Sequence, residues 1–158
     1  MQHGFMKTIE SAQTPPRWLP ALRRYFASIA AGNLMWEIAQ LPLYTLWDTG
    51  TLAQQAFAIA HCTAGDLLIA AVAMMLALLI AGDARWPAAG FARVACVAVC
   101  AGAGYTVYSE WLNIVVRHNW AYSAAMPVVP FIGTGLAPLL QWLVVPVAAL
   151  LYARRVNP

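Results

Sequence analysis

The chain has 158 residues, of which 62% are hydrophobic and only 9% are charged. Soluble globular domains carry about 25% charged residues, so this composition excludes an ordinary soluble domain and predicts a membrane protein. Nine basic and six acidic residues give a net charge of +3 and are scattered among apolar runs. Because no basic patch forms, we expect the lipid bilayer as the main partner and no nucleic acid.

The first 20 residues contain Lys7, Glu10 and the pair Pro15 and Pro16, but no apolar run of signal-peptide length. We therefore expect residues 1–20 to be a cytoplasmic N-terminal segment of an uncleaved chain. In that case the first membrane helix directs insertion.

Four later segments are long and apolar enough to cross a membrane, which takes about 20 residues in a helix. They are residues 22–44, 56–81, 88–116 and 127–152. We therefore expect one all-α domain over residues 1–158, an integral membrane four-helix bundle. The first segment is the least apolar, because Asn33, Glu37 and Gln40 interrupt it, and an interfacial helix is its alternative. In the fourth segment, we expect Pro138 and Pro146 to kink the helix. We also expect Pro138 to free the carbonyl of Thr134 as a hydrogen-bond acceptor.

The basic residues predict the orientation, since Lys and Arg accumulate in cytoplasmic loops. With four spans, only Arg117 lies on the outer side. The eight others lie on the inner side: Lys7, Arg17, Arg23, Arg24, Arg85, Arg93, Arg154 and Arg155. We expect an integral protein of a bacterial inner membrane with both termini in the cytoplasm.

Three of the six acidic residues, Glu37, Asp66 and Glu110, fall inside these segments. A charged group at the centre of a membrane helix costs roughly 2.5 to 3.5 kcal/mol, so their presence needs an explanation. By helical rise, Glu37 and Glu110 lie about 10 Å from the outer helix ends, His61 about 8 Å and Asp66 about 15 Å. These four residues therefore share one layer in the outer half of the membrane.

Polar residues also form a stripe on two of the helices, at spacings of four, three and four. The stripes are Asn33, Glu37, Gln40 and Tyr44 on the first helix, and Thr106, Glu110, Asn113 and Arg117 on the third. Because lipid-facing carboxyl groups are costly, we expect both stripes to point inward. They would enclose a polar pocket that opens toward the outer face.

Carboxyl groups that are desolvated and close together favour their neutral form and can transfer protons near neutral pH. We assign Glu37 and Glu110 as acid and base, His61 as proton shuttle, and Asp66 as the residue that orients His61 or a substrate hydroxyl. The expected function is acid-base chemistry on, or binding of, a lipid-soluble ligand. The expected ligand-binding residues are Asn33, Gln40, Tyr44, Asn113, Trp36, Trp111 and Thr134.

Three other functions fit the same residues. The polar stripes could face the helices of a membrane partner, which would make the protein an accessory subunit of a larger complex. They could hold a divalent metal, but the sequence contains no paired-histidine motif, and we predict no metal ligands. Buried acids also mark proton or ion pathways, although the inner halves of the second and fourth helices offer little polar continuation. The sequence identifies no cofactor.

Overall fold

The computed structural model describes residues 18–155, and this part of the chain contains α-helices but no β-strand. The predicted all-helical class is confirmed for these residues. Residues 1–17, with Lys7 and Arg17, lie outside the described part, and most of the predicted N-terminal segment lies with them. The helices are α1 (Trp18–Gln40), α2 (Leu46–Thr49), α3 (Leu52–Ala81), α4 (Phe91–Glu110) and α5 (Leu136–Ala153). A 3₁₀ turn, Leu41–Leu43, follows α1, and a π-helical turn, Trp111–Val116, continues α4.

Three of these helices are long and apolar enough to cross a membrane. They are α3, α5, and α4 together with its π-helical turn, and they correspond to the second, fourth and third predicted segments. Helix α1 has 23 residues but lacks the required apolar composition. Arg23, Arg24 and Glu37 lower its hydropathy, so its crossing of the membrane stays a prediction.

Helix α5 begins at Leu136, nine residues later than the predicted segment. Phe131 and Gly133 adopt left-handed backbone conformations, with φ of 70° and 76°, and a right-handed helix cannot pass through them. Pro138 therefore lies in the first turn of α5, where proline is tolerated. The carbonyl of Thr134 is a hydrogen-bond acceptor outside the helix, as predicted, and its donor is Val129 N at 2.9 Å.

The other helix boundaries also have local causes. Helix α1 stops at Gln40, and the 3₁₀ turn that follows contains Pro42, whose ring is incompatible with an α-helix interior. Helix α3 starts at Leu52, because Thr51 and Gln54 form a capping box. In the connection between α3 and α4, Arg85 N donates a hydrogen bond of 2.9 Å to Asp83 Oδ1, which lowers the pKa of Asp83.

Arginine contacts bring three helix ends together. Arg24 Nη1 donates a hydrogen bond of 2.9 Å to the carbonyl oxygen of Arg155. The guanidinium of Arg154 lies 5.1 Å from the ring centre of Phe91. The starts of α1 and α4 and the end of α5 therefore share one end of the molecule, which we call the arginine end. The opposite end, where α3 starts and α4 finishes, is called the cavity end.

The interior near the arginine end is apolar. Its most deeply buried members are Ala21, Tyr25, Ile29, Ala70, Met74, Ala77, Val94, Ala98, Ala149 and Leu150. Large apolar side chains also cover the outside of α3, where Leu68, Leu79 and Ile80 are 67%, 76% and 73% exposed. A contiguous exposed apolar surface of this kind suits contact with lipid.

Close packing of α4 on α5 depends on Gly102. A Cβ atom at this position would overlap the indole ring of Trp142. We expect Gly102→Ala to lower the free energy of unfolding by about 1–3 kcal/mol, the usual cost of overpacking. The measurement is equilibrium unfolding in mixed micelles, followed by circular dichroism as the SDS fraction rises.

The matched control is Gly104→Ala on the same helix, where a Cβ atom would have no neighbour within 4 Å. We expect no loss of stability there, because alanine favours helix over glycine. Equal destabilisation by both variants would contradict the assigned role of Gly102.

Candidate functional site

A buried hydrogen-bonded cluster connects α1, α3 and α5. Gln141 Nε2 donates to Asp66 Oδ2 at 2.8 Å, Glu37 Oε1 at 3.1 Å and Asn33 Oδ1 at 3.2 Å. Gln40 Nε2 lies 2.8 Å from Glu37 Oε1 and 3.3 Å from Gln141 Oε1. All five side chains are buried. We call this group the Gln141 cluster, and it places two carboxyl groups beside one amide.

Helical geometry explains why the cluster forms. Asn33, Glu37 and Gln40 are spaced by four and three residues, so they share the buried face of α1. Asp66 continues the buried face of α3 that Ala70 and Ala77 form closer to the arginine end. The cluster therefore lies directly above the apolar core, at the level where the interior changes from apolar to polar.

A second polar group forms around the third carboxyl group. Tyr122 donates its hydroxyl proton to Glu110 Oε2, and the same hydroxyl oxygen accepts a hydrogen bond of 2.6 Å from Gly135 N. Burial and the neighbouring Glu110 carboxyl raise the pKa of Tyr122, so its hydroxyl stays a proton donor at neutral pH. This bridge fixes Glu110 at the end of α4 to the segment that precedes α5.

The segment around Tyr122 is held against the chain that follows α1. Thr45 N donates to the carbonyl of Ala121 at 3.0 Å, and Ser123 N donates to the carbonyl of Leu43 at 2.9 Å. The rings of Tyr44 and Tyr122 lie 5.6 Å apart. This segment therefore covers the cavity end of the molecule.

A cavity of about 860 Å³ lies between these two polar groups, along the facing surfaces of α3 and α4. On α3 it extends from Ala53 to Ile69, which corresponds to about 24 Å of helical rise. Asp66, Gln141 and Trp142 line its deep end. The carboxyl groups of Glu37, Asp66 and Glu110 all belong to its wall.

The cavity is open on one side. Phe57, Leu68 and Tyr105 line it and are 69%, 67% and 49% exposed. Gly65 also lines it, and a Cβ atom there would meet nothing within 4 Å. The gap between α3 and α4 therefore connects the polar interior with the apolar outside of the molecule.

The structure brings together most of the residues that the sequence nominates. The cavity wall contains Glu37, His61, Asp66, Glu110, Gln40, Tyr44 and Asn113. Asn33 lies behind the wall in the Gln141 cluster. The wall does not include Trp36, half-exposed Trp111 or buried Thr134.

His61 occupies a different environment from the carboxyl groups. Its side chain is exposed, and its ring stacks on Phe57 with 5.6 Å between the ring centres. Among residues 18–155, no hydrogen bond links His61 to a carboxyl group, and Asp66 is bonded to Gln141 instead. Asp66 therefore does not orient His61 in this structure, although the sequence had led us to expect it.

Two important residues are missing from the set nominated by the sequence. Gln141 connects both carboxyl groups of its cluster, and its signal was a single amide in an otherwise apolar segment. Tyr122 gave no comparable signal, because residues 117–126 lie outside the predicted helices and their path over the cavity depends on tertiary contacts.

Within the described residues, no three His, Cys, Asp or Glu side chains are grouped closely enough to hold a metal ion. No protein-family model, curated protein or solved structure matches the chain.

Proposed function

We propose that the protein is a four-helix membrane bundle that binds a lipid-soluble ligand in this cavity and carries out acid-base chemistry on it. The observation that carries the proposal is the cavity itself, which joins three carboxyl groups to a side opening lined by exposed apolar residues. A water-soluble ligand would not need an entrance of this composition.

The fourth crossing helix in this proposal is α1. Its 23 residues correspond to about 34 Å of helical rise, enough for a hydrocarbon layer of about 30 Å. Its polar residues Asn33, Glu37 and Gln40 are buried against other helices and would be shielded from lipid. Arg23 and Arg24 lie in its first turns, at the arginine end, where they can reach the membrane surface.

The arginine end would then be cytoplasmic, and both chain termini would lie on that side. Arg24, Arg154 and Arg155 meet there, which agrees with the expected inner-membrane orientation. The cavity would open in the opposite, outer half of the membrane.

The side opening supports a ligand that enters from the lipid. Phe57 and Leu68 line the cavity and are largely exposed. A molecule that slides between α3 and α4 could keep its apolar part against these side chains while its polar part reaches Asp66. The length of the cavity along α3 favours an elongated molecule.

The carboxyl groups support proton transfer more than a purely structural role. Glu37 Oε1 and Asp66 Oδ2 accept hydrogen bonds from the same nitrogen, Gln141 Nε2, at 3.1 and 2.8 Å, so the two carboxyl groups lie close together. Two buried carboxyl groups this close favour holding a proton over carrying two negative charges. Amides or hydroxyls would link the helices at lower cost, because they need no ionisable group in the membrane. We assign Glu37 and Glu110 as acid and base, with Asp66 positioning Glu37 through Gln141.

The burial of the polar stripes also favours a pocket over a partner surface. In an accessory subunit the stripes would face another protein, whereas Asn33, Glu37 and Glu110 are turned toward the helices of the same chain. Within residues 18–155, the apolar core below the cluster offers no polar continuation toward the arginine end, which favours a ligand site over an ion pathway.

The test uses a long-chain alcohol that carries a diazirine and an alkyne as a photoreactive probe. We expect it to label cavity-lining peptides of purified protein in uncharged micelles. The variant Gly65→Trp should reduce this labelling to about one tenth, because the indole occupies the open space beside Gly65. Labelled peptides are identified by mass spectrometry.

The control is Gly104→Trp, which also places an indole in open space on a membrane helix but outside the cavity wall. It should label like the unchanged protein. Circular dichroism checks that both variants fold. Equal labelling of the two variants would overturn the proposal.

A further inference from the structure

We infer that the ligand of this cavity carries a cationic amine as its polar group. This inference rests on the proposed function of the cavity and specifies the chemistry of its ligand. It starts from the imbalance between hydrogen-bond acceptors and donors at the deep end of the cavity. Glu37 and Asp66 contribute carboxyl oxygens there, and the amides that donate hydrogen bonds to them belong to Gln40 and Gln141.

Those amide donors are already used. The two protons of Gln141 Nε2 face three acceptors, on Asp66, Glu37 and Asn33, and Gln40 Nε2 faces two more. Neither amide nitrogen has a proton left for a ligand. The Nδ2 atom of Asn33 has no hydrogen-bond partner, but Asn33 lies behind the cavity wall and is only 1% exposed. A ligand that supplies only acceptor atoms would therefore find no free donor on the Gln40 and Gln141 amides of the wall.

The carboxyl groups also lack a basic partner. Within residues 18–155, the single ion pair is formed by Arg85 and Asp83 at the arginine end, far from the cavity. No Lys, Arg or His side chain pairs with Glu37, Asp66 or Glu110 in this part of the chain. A cationic ligand would supply the missing charge, and buried charges are stable when they are paired.

A separate acceptor in the wall points to the same chemistry. Gln40 is only 5% exposed, and its Oε1 atom has no hydrogen-bond donor in the described structure. An acceptor left unpaired in a protein interior costs about 1–3 kcal/mol. Turning the amide would not help, because Nε2 would then lose Glu37 and Gln141. A primary ammonium group brings three donors and could serve this atom together with the carboxyl groups.

Aromatic rings around the cavity suit a cation as well. Trp142 is at the deep end, beside Gln141, and Tyr44 and Tyr105 line the wall. Ring faces attract ammonium groups, particularly in a dry environment. The competing positive charge of Arg117 lies seven residues beyond Glu110, about 10 Å farther toward the cavity end.

The test compares three photoreactive probes that have the same chain and differ only in the polar group: primary amine, alcohol or carboxylic acid. Each is applied at equal concentration to the purified protein in uncharged maltoside micelles. We expect the amine to label the cavity peptides about ten times more strongly than the alcohol, and the acid to label least. In the double variant Glu37→Gln, Asp66→Asn the ratio of amine to alcohol labelling should fall to about one.

The control for charge is Asp83→Asn, which removes an acid outside the cavity and should keep the ratio of the unchanged protein. If the double variant fails to fold, competition on the unchanged protein decides the matter. Excess dodecylamine should then suppress labelling by the amine probe about tenfold more effectively than dodecanol.

The two proposals fail in distinguishable ways. Equal labelling by amine and alcohol, both lost in Gly65→Trp, would overturn the amine inference and leave the lipid-soluble ligand standing. If Gly65→Trp leaves the labelling of the cavity peptides unchanged with all three probes, both proposals are overturned.

Discussion

Replacing Gln141 by leucine is expected to lower the free energy of unfolding by about 2–6 kcal/mol. The change removes the donor of Asp66 Oδ2 and Asn33 Oδ1, whereas Glu37 Oε1 keeps its hydrogen bond from Gln40 Nε2. Each buried acceptor left without a donor costs about 1–3 kcal/mol. Leucine is close to glutamine in volume, so the loss would come from polarity more than from packing. Equilibrium unfolding in mixed micelles measures it.

A double variant separates this cause from general damage to α5. In Asp66→Leu, Gln141→Leu both polar partners become apolar, and the pair no longer carries an unsatisfied group. We expect this variant to recover part of the stability that Gln141→Leu loses. A double variant that is less stable than Gln141→Leu would show that the amide is not the source of the effect.

The second large expected effect is the loss of the proposed reaction when two carboxyl groups are replaced. We expect the double variant Glu37→Gln, Glu110→Gln to abolish this reaction, because general acid-base groups contribute 10² to 10⁴-fold in rate. Glutamine keeps the size of the side chain and most of its hydrogen-bonding capacity, so the bundle should still assemble. The measurement is the lipid profile of cells that lack the protein, by mass spectrometry, after complementation with each form.

The unchanged gene should remove the lipid species that accumulates in its absence, and the double variant should leave that species in place. His118→Gln serves as the control, because His118 is exposed and lies outside the cavity wall. If Glu37→Gln, Glu110→Gln restores the lipid profile, the acid-base roles are contradicted and only the ligand-binding part of the proposal remains.

Hydrophobic runs and helical spacing were sufficient to predict most of the fold. They located α3, α4 and α5 and the face of α1 that carries Asn33, Glu37 and Gln40, because both signals depend on residues close in the chain. They failed at Pro127 to Gly135, where an apolar run looked helical by composition. The backbone conformations of Phe131 and Gly133 break the helix there, and hydropathy does not report them.

The candidate site could also be predicted only in part from the sequence. Carboxyl groups in a membrane segment are expensive wherever they occur, so Glu37, Asp66 and Glu110 stood out without any structure. Which partners they find depends on packing between helices that are distant in sequence. Gln141 and Asp66 are 75 residues apart in the chain. The residue pattern of each helix shows which face is polar, but it does not show which residue of another helix that face contacts. The contact of His61 with Phe57, rather than with an acid, has the same origin.

The apolar core below Asp66 gives the cavity a closed bottom. Tyr25, Ile29, Met74 and Leu150 fill the interior on the arginine side of the Gln141 cluster. In the proposed orientation, molecules dissolved in the outer monolayer would reach the carboxyl groups, whereas this apolar core would block molecules from the inner monolayer. In a membrane whose two leaflets differ in composition, the protein would therefore sample just one of them.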